Sequence, residues 1–304
     1  EVTMQCPYYI VDVFTRRPFN GAQISVFPQS DGLSDEQMQR LARETNHSET
    51  VFVSGSSAQR STLRVFSPKG EKGIGSHTTV AAAYALACGG VLKFDSDECT
   101  THFEQAEQGL EVFLHREGEQ IQTQLSRSVQ PQIDRYVPDH DELQRILGLG
   151  DRDIEQFKSR TLLVNCESPH LIVPLRSMEA VYRARYNAEA WAQSSSSSVP
   201  VNDILVYCRE TEDPQADFHL RLLGSDISRH DDPPVGAAVP AFVAFLCEVQ
   251  KLPDGKHTLW VERGLSTQRQ SLLKVEFVRK GSAPLYLRVG GDAVLVGQGS
   301  MLAP

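Results

Sequence analysis

Short segments in which apolar and polar residues alternate dominate this chain of 304 residues and predict many β-strands. With a period of two, the apolar side chains of such a segment share one face of a sheet. Gly290 and Gly291 stand between the last two segments and predict a hairpin turn. In the first half the segments are Tyr8–Phe14, Ile24–Phe27, Thr50–Val53, Thr62–Phe66, Leu110–His115 and Ile121–Leu125. In the second half they are Leu162–Cys166, Leu171–Leu175, Ile204–Cys208, Phe218–Leu223, Thr258–Glu262, Leu273–Val278, Leu285–Val289 and Ala293–Val296.

Two capping boxes predict the first turns of amphipathic helices. Ser34 is followed three residues later by Gln37, and Asp139 is followed at the same spacing by Glu142. In this arrangement each of the two side chains accepts a hydrogen bond from the backbone N–H of the other residue. Apolar residues at helical spacing follow both boxes, so each helix should bury one face.

Two further helical segments, Thr79–Cys88 and Gly236–Cys247, carry no charged residue. A helix that is apolar on all sides is a buried helix, and in this chain strands must surround it. Leu63–Phe66 and Leu220–Leu223 are similar in sequence, and each is followed by a glycine-bearing loop and one of these helices. The chain therefore contains a weak internal repeat of about half its length.

The repeat predicts an α+β fold with two pseudo-symmetric, β-rich domains, each a barrel-like sheet wrapped around a central buried helix. We place the first domain at residues 1–127 and the second at 128–289, with the C-terminal strand 290–304 as a segment that could return to the first domain. Two such domains would enclose a cleft, with the two buried helices starting on opposite walls. Helix N-termini offer free N–H groups and a positive dipole end, which favour an anionic ligand.

The charge balance narrows the range of partners. Lys and Arg total 30 against 39 Asp and Glu, and the formal net charge is −9. Neither nucleic acid nor an anionic membrane is expected as the partner of so acidic a chain. No uncharged apolar stretch approaches about 18 residues, the N-terminus lacks a secretory signal pattern, and the six cysteines form no C-x-x-C pair. We therefore expect a cytoplasmic protein with reduced cysteines that acts on a small molecule.

Three polar clusters could carry chemistry. They are Asn46–Glu49, at the entry of an apolar strand, and Gly73–His77 and His230–Gly236, each directly before a buried helix. A carboxylate at the position of Glu49 is costly to bury unless it is paired or protonated, and a carboxyl in such surroundings suits proton transfer. The alternative for Glu49 is a strand-edge side chain in solvent.

His77 and Asp232 each allow two interpretations. His77 could hydrogen-bond a substrate, or it could cap or pack against its own helix. Asp232 could bind a ligand, or it could cap the second buried helix and do nothing more. The chain contains no H-E-x-x-H, P-loop, G-x-G-x-x-G after a strand or G-x-S-x-G pattern, so zinc, nucleotide and α/β-hydrolase sites are not indicated.

Several stretches together resemble one known family over nearly the whole chain. The most specific is Leu33–Thr50, which ends in Asn-His-Ser-Glu-Thr and is close to the family pattern "ReMNLSETvFv". The other stretches are Tyr9–Phe14 with Pro18–Gly21, Phe66–Pro68 with Glu71 and Gly75–His77, Asp232–Ala238, and Val261–Gly264 with Val289–Gly291 and Val296–Gly299. The family is that of the PhzF-like (phenazine biosynthesis-like) isomerases, which have the diaminopimelate epimerase fold.

The resemblance implies an active site between two similar domains, a homodimer, and no metal or organic cofactor. In phenazine producers the family isomerises trans-2,3-dihydro-3-hydroxyanthranilate by moving a proton between ring carbons. By this resemblance Glu49 would be the general acid/base, and His77 and Asp232 would hold and polarise the substrate. The residues that match or adjoin substrate-binding positions are Gly21, Ser48, Gly75, Ser76, Thr78, Gly236 and Ala237.

The departures from the family lie at the same site. Ala22 stands where the family has Asn, Ser76-His77-Thr78 replaces Gly-His-Pro, and Val235-Gly236-Ala237 replaces Thr-Gly-Ser. Losing several hydrogen-bonding groups, each worth about 1–3 kcal/mol, implies a different substrate. The paired cysteines of the sister racemases have no counterpart, which favours one-base isomerisation by Glu49. The alternatives are a lyase, dehydratase or cyclisation catalyst of specialised metabolism, and a non-catalytic ligand-binding protein.

Overall fold

The computed structural model describes residues 4–106, 108–201, 203–228 and 232–304. The chain divides into two compact units. The first unit comprises Glu1–Arg127, Ser266–Leu273 and Arg288–Pro304, and the second comprises Ser128–Leu265 and Lys274–Leu287. The C-terminal segment therefore belongs to the unit that contains the N-terminal half of the chain.

The first unit is built on a closed barrel of eight strands. The strand order is β1-β2-β3-β4-β6-β7-β8-β16, and β16 also pairs antiparallel with β1, which closes the barrel. A short β5 pairs with β4 outside this path. The strands are β1 (Gln5–Val13), β2 (Ala22–Phe27), β3 (Glu49–Ser54), β4 (Arg60–Ser67), β5 (Gly70–Lys72), β6 (Glu98–Gln105), β7 (Gln108–Glu117), β8 (Gln120–Val129) and β16 (Leu285–Leu302).

Two helices accompany this barrel, and they differ as the sequence predicts. Helix α1 (Asp35–Thr45) has a capping box at Ser34 and buries one face. Helix α2 (Ser76–Cys88) packs on β1, β2 and β3, and Val80, Ala81, Ala82 and Ala83 are fully buried. A helix without a polar face has no side chains that need water, and burying its apolar surface is favourable. The barrel strands therefore surround it in place of solvent.

The second unit also combines a sheet with helices. Its strands follow the order β15-β14-β13-β12-β11-β10-β9, with parallel pairs at β11–β12 and β13–β14. The strands are β9 (Gln132–Asp134), β10 (Leu162–Asn165), β11 (Pro169–Pro174), β12 (Asp203–Cys208), β13 (Phe218–Leu223), β14 (Gly255–Arg263) and β15 (Ser271–Arg279). The helices are α3 (His140–Leu147), α4 (Met178–Arg183), α5 (Ala188–Ala192), a 3-10 turn (Gly236–Ala238) and α6 (Val239–Gln250).

The apolar helix α6 has the same buried character as α2. Phe242 and Phe245 are fully buried and surround the ring of Tyr207 on β12. The α+β fold class is therefore confirmed, with strand-rich units and few helices. No helix within the described residues is long and apolar enough to cross a membrane.

The expected hairpin turn at Gly290 and Gly291 is wrong. Both residues lie inside β16, which runs without interruption from Leu285 to Leu302. A side chain at Gly290 would overlap the carbonyl of Thr123 on β8, so glycine here permits a close approach of two strands, as glycines inside strands often do. Periodicity also missed β5, β6, β9, α4 and α5, which are short or contain mostly polar residues.

Replacing Gly290 should test this close approach. We expect Gly290→Ala to lower the free energy of unfolding by about 1–3 kcal/mol or more, because its Cβ would displace backbone atoms of β8. The measurement is equilibrium denaturation monitored by circular dichroism. Gly109→Ala on β7 is the matched control, since nothing lies within 4 Å of a Cβ at that position. Equal stability of the two variants would contradict the interpretation.

Candidate active site

A carboxyl and an imidazole meet where β3 and α2 begin. Glu49 is the first residue of β3, and His77 is the second residue of α2. Oε2 of Glu49 and Nε2 of His77 are hydrogen-bonded, and the two side chains are only 16% and 15% exposed. Glu49 is therefore no solvent-facing strand-edge residue. His77 bonds to a neighbouring strand instead of capping its own helix.

Local sequence brings Glu49 to this position. Helix α1 ends at Thr45 and is followed by its C-cap Asn46, which adopts the left-handed conformation that stops a helix. The chain then passes the exposed Ser48 and enters β3, which pairs in parallel with β2 so that Glu49 lies opposite Ile24. Gly21 precedes β2 at this same end of the sheet and has a φ of +65°, where an added Cβ would overlap the Val13 carbonyl.

The start of α2 is held by its own side chains. Thr78 Oγ1 accepts a hydrogen bond from the backbone N–H of Gly75 and donates one to its carbonyl oxygen, both at 2.9 Å. A Cβ at Gly75 would lie 2.7 Å from the His77 ring, so glycine leaves space for His77 to fold back toward Glu49. Ser76 and Thr78 are both buried. Thr78 therefore shapes the loop around His77 through its hydroxyl.

A partly buried ion pair beside Gly21 was missed by sequence reasoning. Asp12 is fully buried, and its Oδ1 lies 3.1 Å from Nη1 of Arg269. Nη1 of Arg269 also donates to the carbonyl oxygens of Asn20 and Gly21 at 2.9 and 3.3 Å. The pair therefore ties the turn before β2 to the segment 266–273 of the same unit. Asp12 stands in an apolar strand, which is the only signal the sequence offers.

The imidazole of His47 lies beside β2. Nδ1 of His47 lies 2.6 Å from the Ser25 hydroxyl on β2. Burial, and next the positive charge of Arg269, lower the pKa of His47, while Asp12 raises it. The net effect is a lowered pKa, so His47 contributes an uncharged hydrogen-bonding group near Glu49 in the chain.

The second unit contains the third predicted site residue, Asp232. Its Oδ2 accepts a hydrogen bond from the Tyr182 hydroxyl at 3.2 Å, and its buried Oδ1 has no partner among the described residues. The 3-10 turn is preceded by Val235 and α6 by Ala238, and neither has a side-chain cap. The capping interpretation of Asp232 is therefore wrong. Gly236 is buried and Ala237 is exposed at this turn.

Burial dominates the electrostatics of Asp232. It raises the pKa of this carboxyl, and the neighbouring Arg263, Arg221 and Tyr182 offset part of that effect. Burial and the nearby Asp232 also raise the pKa of Tyr182 well above its usual range, so the phenol keeps its proton. His230, which was part of the predicted cluster, lies outside the described residues.

Sequence reasoning missed the residues behind Asp232. The Tyr182 hydroxyl lies 2.8 Å from Nε2 of His219, and Nδ1 of His219 lies 2.8 Å from Oε1 of Glu262. His219 and Glu262 are fully buried on β13 and β14. The sequence does show His219 as a polar residue among the apolar residues of a predicted strand. The alternation of residues predicts which face of the sheet this side chain lies on, but it does not predict the partner of the side chain.

Comparisons with known proteins identify a family and several relatives of this chain. The phenazine biosynthesis-like protein family matches residues 11–299 of the chain. The chain belongs to this family. A relative named an uncharacterized isomerase in Pasteurella multocida is 33% identical over 303 residues, covering 98% of this chain and 94% of the relative. Another uncharacterized isomerase, from Mesorhizobium japonicum, is 28% identical over 298 residues, covering 97% of this chain and 98% of the relative.

A solved structure of a protein from the same family has a similar fold. The crystal structure of the Bacillus anthracis phenazine biosynthesis protein of the PhzF family superposes with a TM-score of 0.85 at 25% identity. It covers 98% of this chain and 99% of the other. This PhzF-like chain is thus related over nearly its whole length to proteins named as isomerases.

The raised pKa of Asp232 predicts a pH-dependent stability of this PhzF-like protein. A carboxyl that binds its proton more tightly in the fold contributes stability at low pH that is lost as the pH rises above the ordinary Asp value of about 3.9. The difference in free energy of unfolding, Asp232→Asn minus wild type, should therefore grow from about pH 4 upward. Denaturant titrations across this range measure it.

The control for this measurement is Asp226→Asn, which removes an exposed carboxyl from the loop that follows β13. A difference between Asp232→Asn and wild type that shrinks as the pH rises would contradict the direction assigned to Asp232.

Proposed function

We propose that this protein is an isomerase that moves a proton between carbons of a small cyclic or carboxylated metabolite. Glu49 is its general acid/base, and His77 and Asp232 hold and polarise the substrate. The observation that carries the proposal is the hydrogen-bonded, mostly buried pair of Glu49 and His77 at the start of α2. A general base must lie within hydrogen-bond reach of the proton that it takes, and a hydrogen-bonded partner holds its side chain in a fixed position.

The two oxygens of the Glu49 carboxyl have different roles in this proposal. Oε2 is engaged by His77, which leaves Oε1 to take the proton from a substrate carbon. In this step the C–H bond breaks, an O–H bond forms on Glu49, and the electron pair stays in the conjugated substrate. Glu49 then returns the proton to a different carbon, so the reaction needs no net proton donor.

The residues that we propose for substrate binding come from both halves of the sequence repeat. Oδ1 of Asp232 has no partner among the described residues, and buried polar atoms are normally hydrogen-bonded, which supports a donor group of the ligand there. Ser48, Ser76 and the backbone at Gly75 would supply further contacts at the start of α2. In the second unit, Gly236 and Ala237 would supply main-chain contacts beside Asp232.

The substituted positions argue for a substrate other than the phenazine precursor. Ala22 is buried at the start of β2 and offers no hydrogen bond where the family has an amide. Val235 is 1% exposed, so it packs into its unit and presents no apolar surface to a ligand. Val235 therefore gives no support to the alternative of a cyclisation catalyst acting on an apolar substrate, and isomerisation is the function we propose. We also infer a homodimer from the family, which light scattering would test.

Hydrogen exchange at carbon tests the proposal directly. We expect the wild type in D₂O to place deuterium on a carbon of trans-2,3-dihydro-3-hydroxyanthranilate or of a related cyclic carboxylic acid, as seen by proton NMR. Glu49→Gln should lose this exchange by about 10²-fold or more, because the amide cannot accept the proton.

The matched control is Glu44→Gln, which removes an exposed carboxyl from the last turn of α1. A chelator should leave the exchange rate unchanged. Exchange at a wild-type rate in Glu49→Gln would overturn the assignment of Glu49.

The roles given to His77 and Asp232 predict a different kinetic pattern. His77→Gln and Asp232→Asn should each raise KM as well as lower kcat, because both side chains are assigned to substrate binding and polarisation. Steady-state kinetics on the substrate found by NMR would measure this. A variant with unchanged KM and reduced kcat would show that its residue acts only in the chemical step.

A further inference from the structure

Four polar side chains form a continuous hydrogen-bonded chain inside the second unit. It begins at Glu262, passes through His219 and the Tyr182 hydroxyl, and ends at Asp232, with spacings of 2.8, 2.8 and 3.2 Å. Glu262 and His219 are fully buried. Networks of this kind are stable only when every member is satisfied, so their directions can be worked out.

The directions follow from the buried end. Glu262 accepts backbone N–H groups of Glu212 and Asp213 at 2.7 and 2.8 Å, so both of its oxygens already act as acceptors. His219 donates from Nδ1 to Glu262, and its Nε2 faces the Tyr182 hydroxyl. A phenol has one proton, so two arrangements satisfy the network. In one, Tyr182 donates to the Asp232 carboxylate and accepts from Nε2 of His219. In the other, Tyr182 donates to Nε2 of His219 and accepts from a protonated Asp232.

The helix α4 and the side chain of Arg221 hold Tyr182, the middle of the hydrogen-bonded chain, in place. Tyr182 lies in the last turn of α4, whose Ala180 and Val181 pack into the core of the unit. The Nη1 atom of Arg221 donates to the carbonyl oxygens of Val181 and Ala184 at 2.9 and 3.2 Å, which fixes the end of this helix. The Tyr182 and His219 rings also meet edge to face, with centroids 5.3 Å apart.

We propose that Tyr182, His219 and Glu262 form a proton relay for Asp232, so that Asp232 releases and regains a proton in the reaction besides binding the substrate. This inference rests on the proposed function for its use in catalysis. Asp232 is the end of the chain with an oxygen, Oδ1, that has no partner among the described residues, and a substrate group would meet that oxygen.

The transfer balances within these four residues. The O–H bond of Asp232 breaks as its proton moves to the Tyr182 oxygen, and the Tyr182 proton moves to Nε2 of His219. A neutral acid and a neutral imidazole thus become a carboxylate and an imidazolium, and the Glu262 carboxylate pairs with the imidazolium. The charged and titratable groups that face Asp232 are Tyr182 from α4, His219 and Arg221 from β13, and Arg263 from β14.

The relay can be tested on the ligand-free protein. In protein labelled with ¹⁵N-histidine, the His219 signals are those absent from His219→Gln. We expect a proton on Nδ1 of His219, and an Nε2 signal that shifts both in Asp232→Asn and in Tyr182→Phe. In the Tyr182→Phe background, Asp232→Asn should cause less than half of its original shift, because the hydroxyl that links the two residues is gone.

Tyr207→Phe is the matched control, since Tyr207 is a buried tyrosine of the same unit whose hydroxyl contacts Ser159. It should leave the His219 signals unchanged. The relay is wrong if Asp232→Asn does not affect Nε2 of His219, or if its effect is the same with and without the Tyr182 hydroxyl.

A kinetic measurement separates a relay from a structural role. With an exchanging substrate, Tyr182→Phe should lower kcat at least tenfold with KM within about twofold, since Asp232 remains to bind the substrate. A rise in KM at constant kcat would assign Tyr182 to binding and overturn the relay in catalysis. Absence of exchange by the wild type would instead refute the proposed function, while the NMR measurement would still decide whether the relay exists.

Discussion

The structure depends on the burial of two helices that have no polar face. In the first unit α2 presents alanine, valine and leucine on all sides, so water must be excluded around its whole circumference. In this unit a sheet that curls around the helix achieves this, and the pairing of β1 with β16 closes the barrel. The chain therefore has to bring residues from its C-terminal end back to its first strand.

This constraint also determines where polar chemistry is possible. Most side chains buried in the barrel unit are apolar, and polar side chains meet where the helix begins and the strands end. His77 on α2 and Glu49 on β3 meet at such a place, and Gly75 leaves the space that allows the imidazole to turn toward the strand. The pair of Glu49 and His77 is thus a consequence of the helix that the barrel encloses, because the same helix start that must be hydrogen-bonded also carries His77.

Sequence reasoning succeeded where the physics is local. Capping boxes depend on residues three apart, so Ser34 and Asp139 mark helix starts without reference to the rest of the chain. It failed at Gly290 because a glycine pair predicts a turn locally, whereas here the neighbouring strand requires the absent side chain. The partner of Asp232 was missed for the same reason, since Tyr182 is fifty residues away and only the fold brings it near.

The hydrogen-bonded chain in the second unit is hard to explain by stability alone. Burying a carboxylate costs several kcal/mol even when it is well paired, and an apolar side chain of similar volume would often be as stable or more so. Glu262 is nevertheless fully buried, and two backbone N–H groups and His219 are arranged around it. Such a group is retained more readily when it acts on another residue, and the path from it ends at Asp232. The polar interior of the second unit is therefore best understood together with the carboxyl that it reaches.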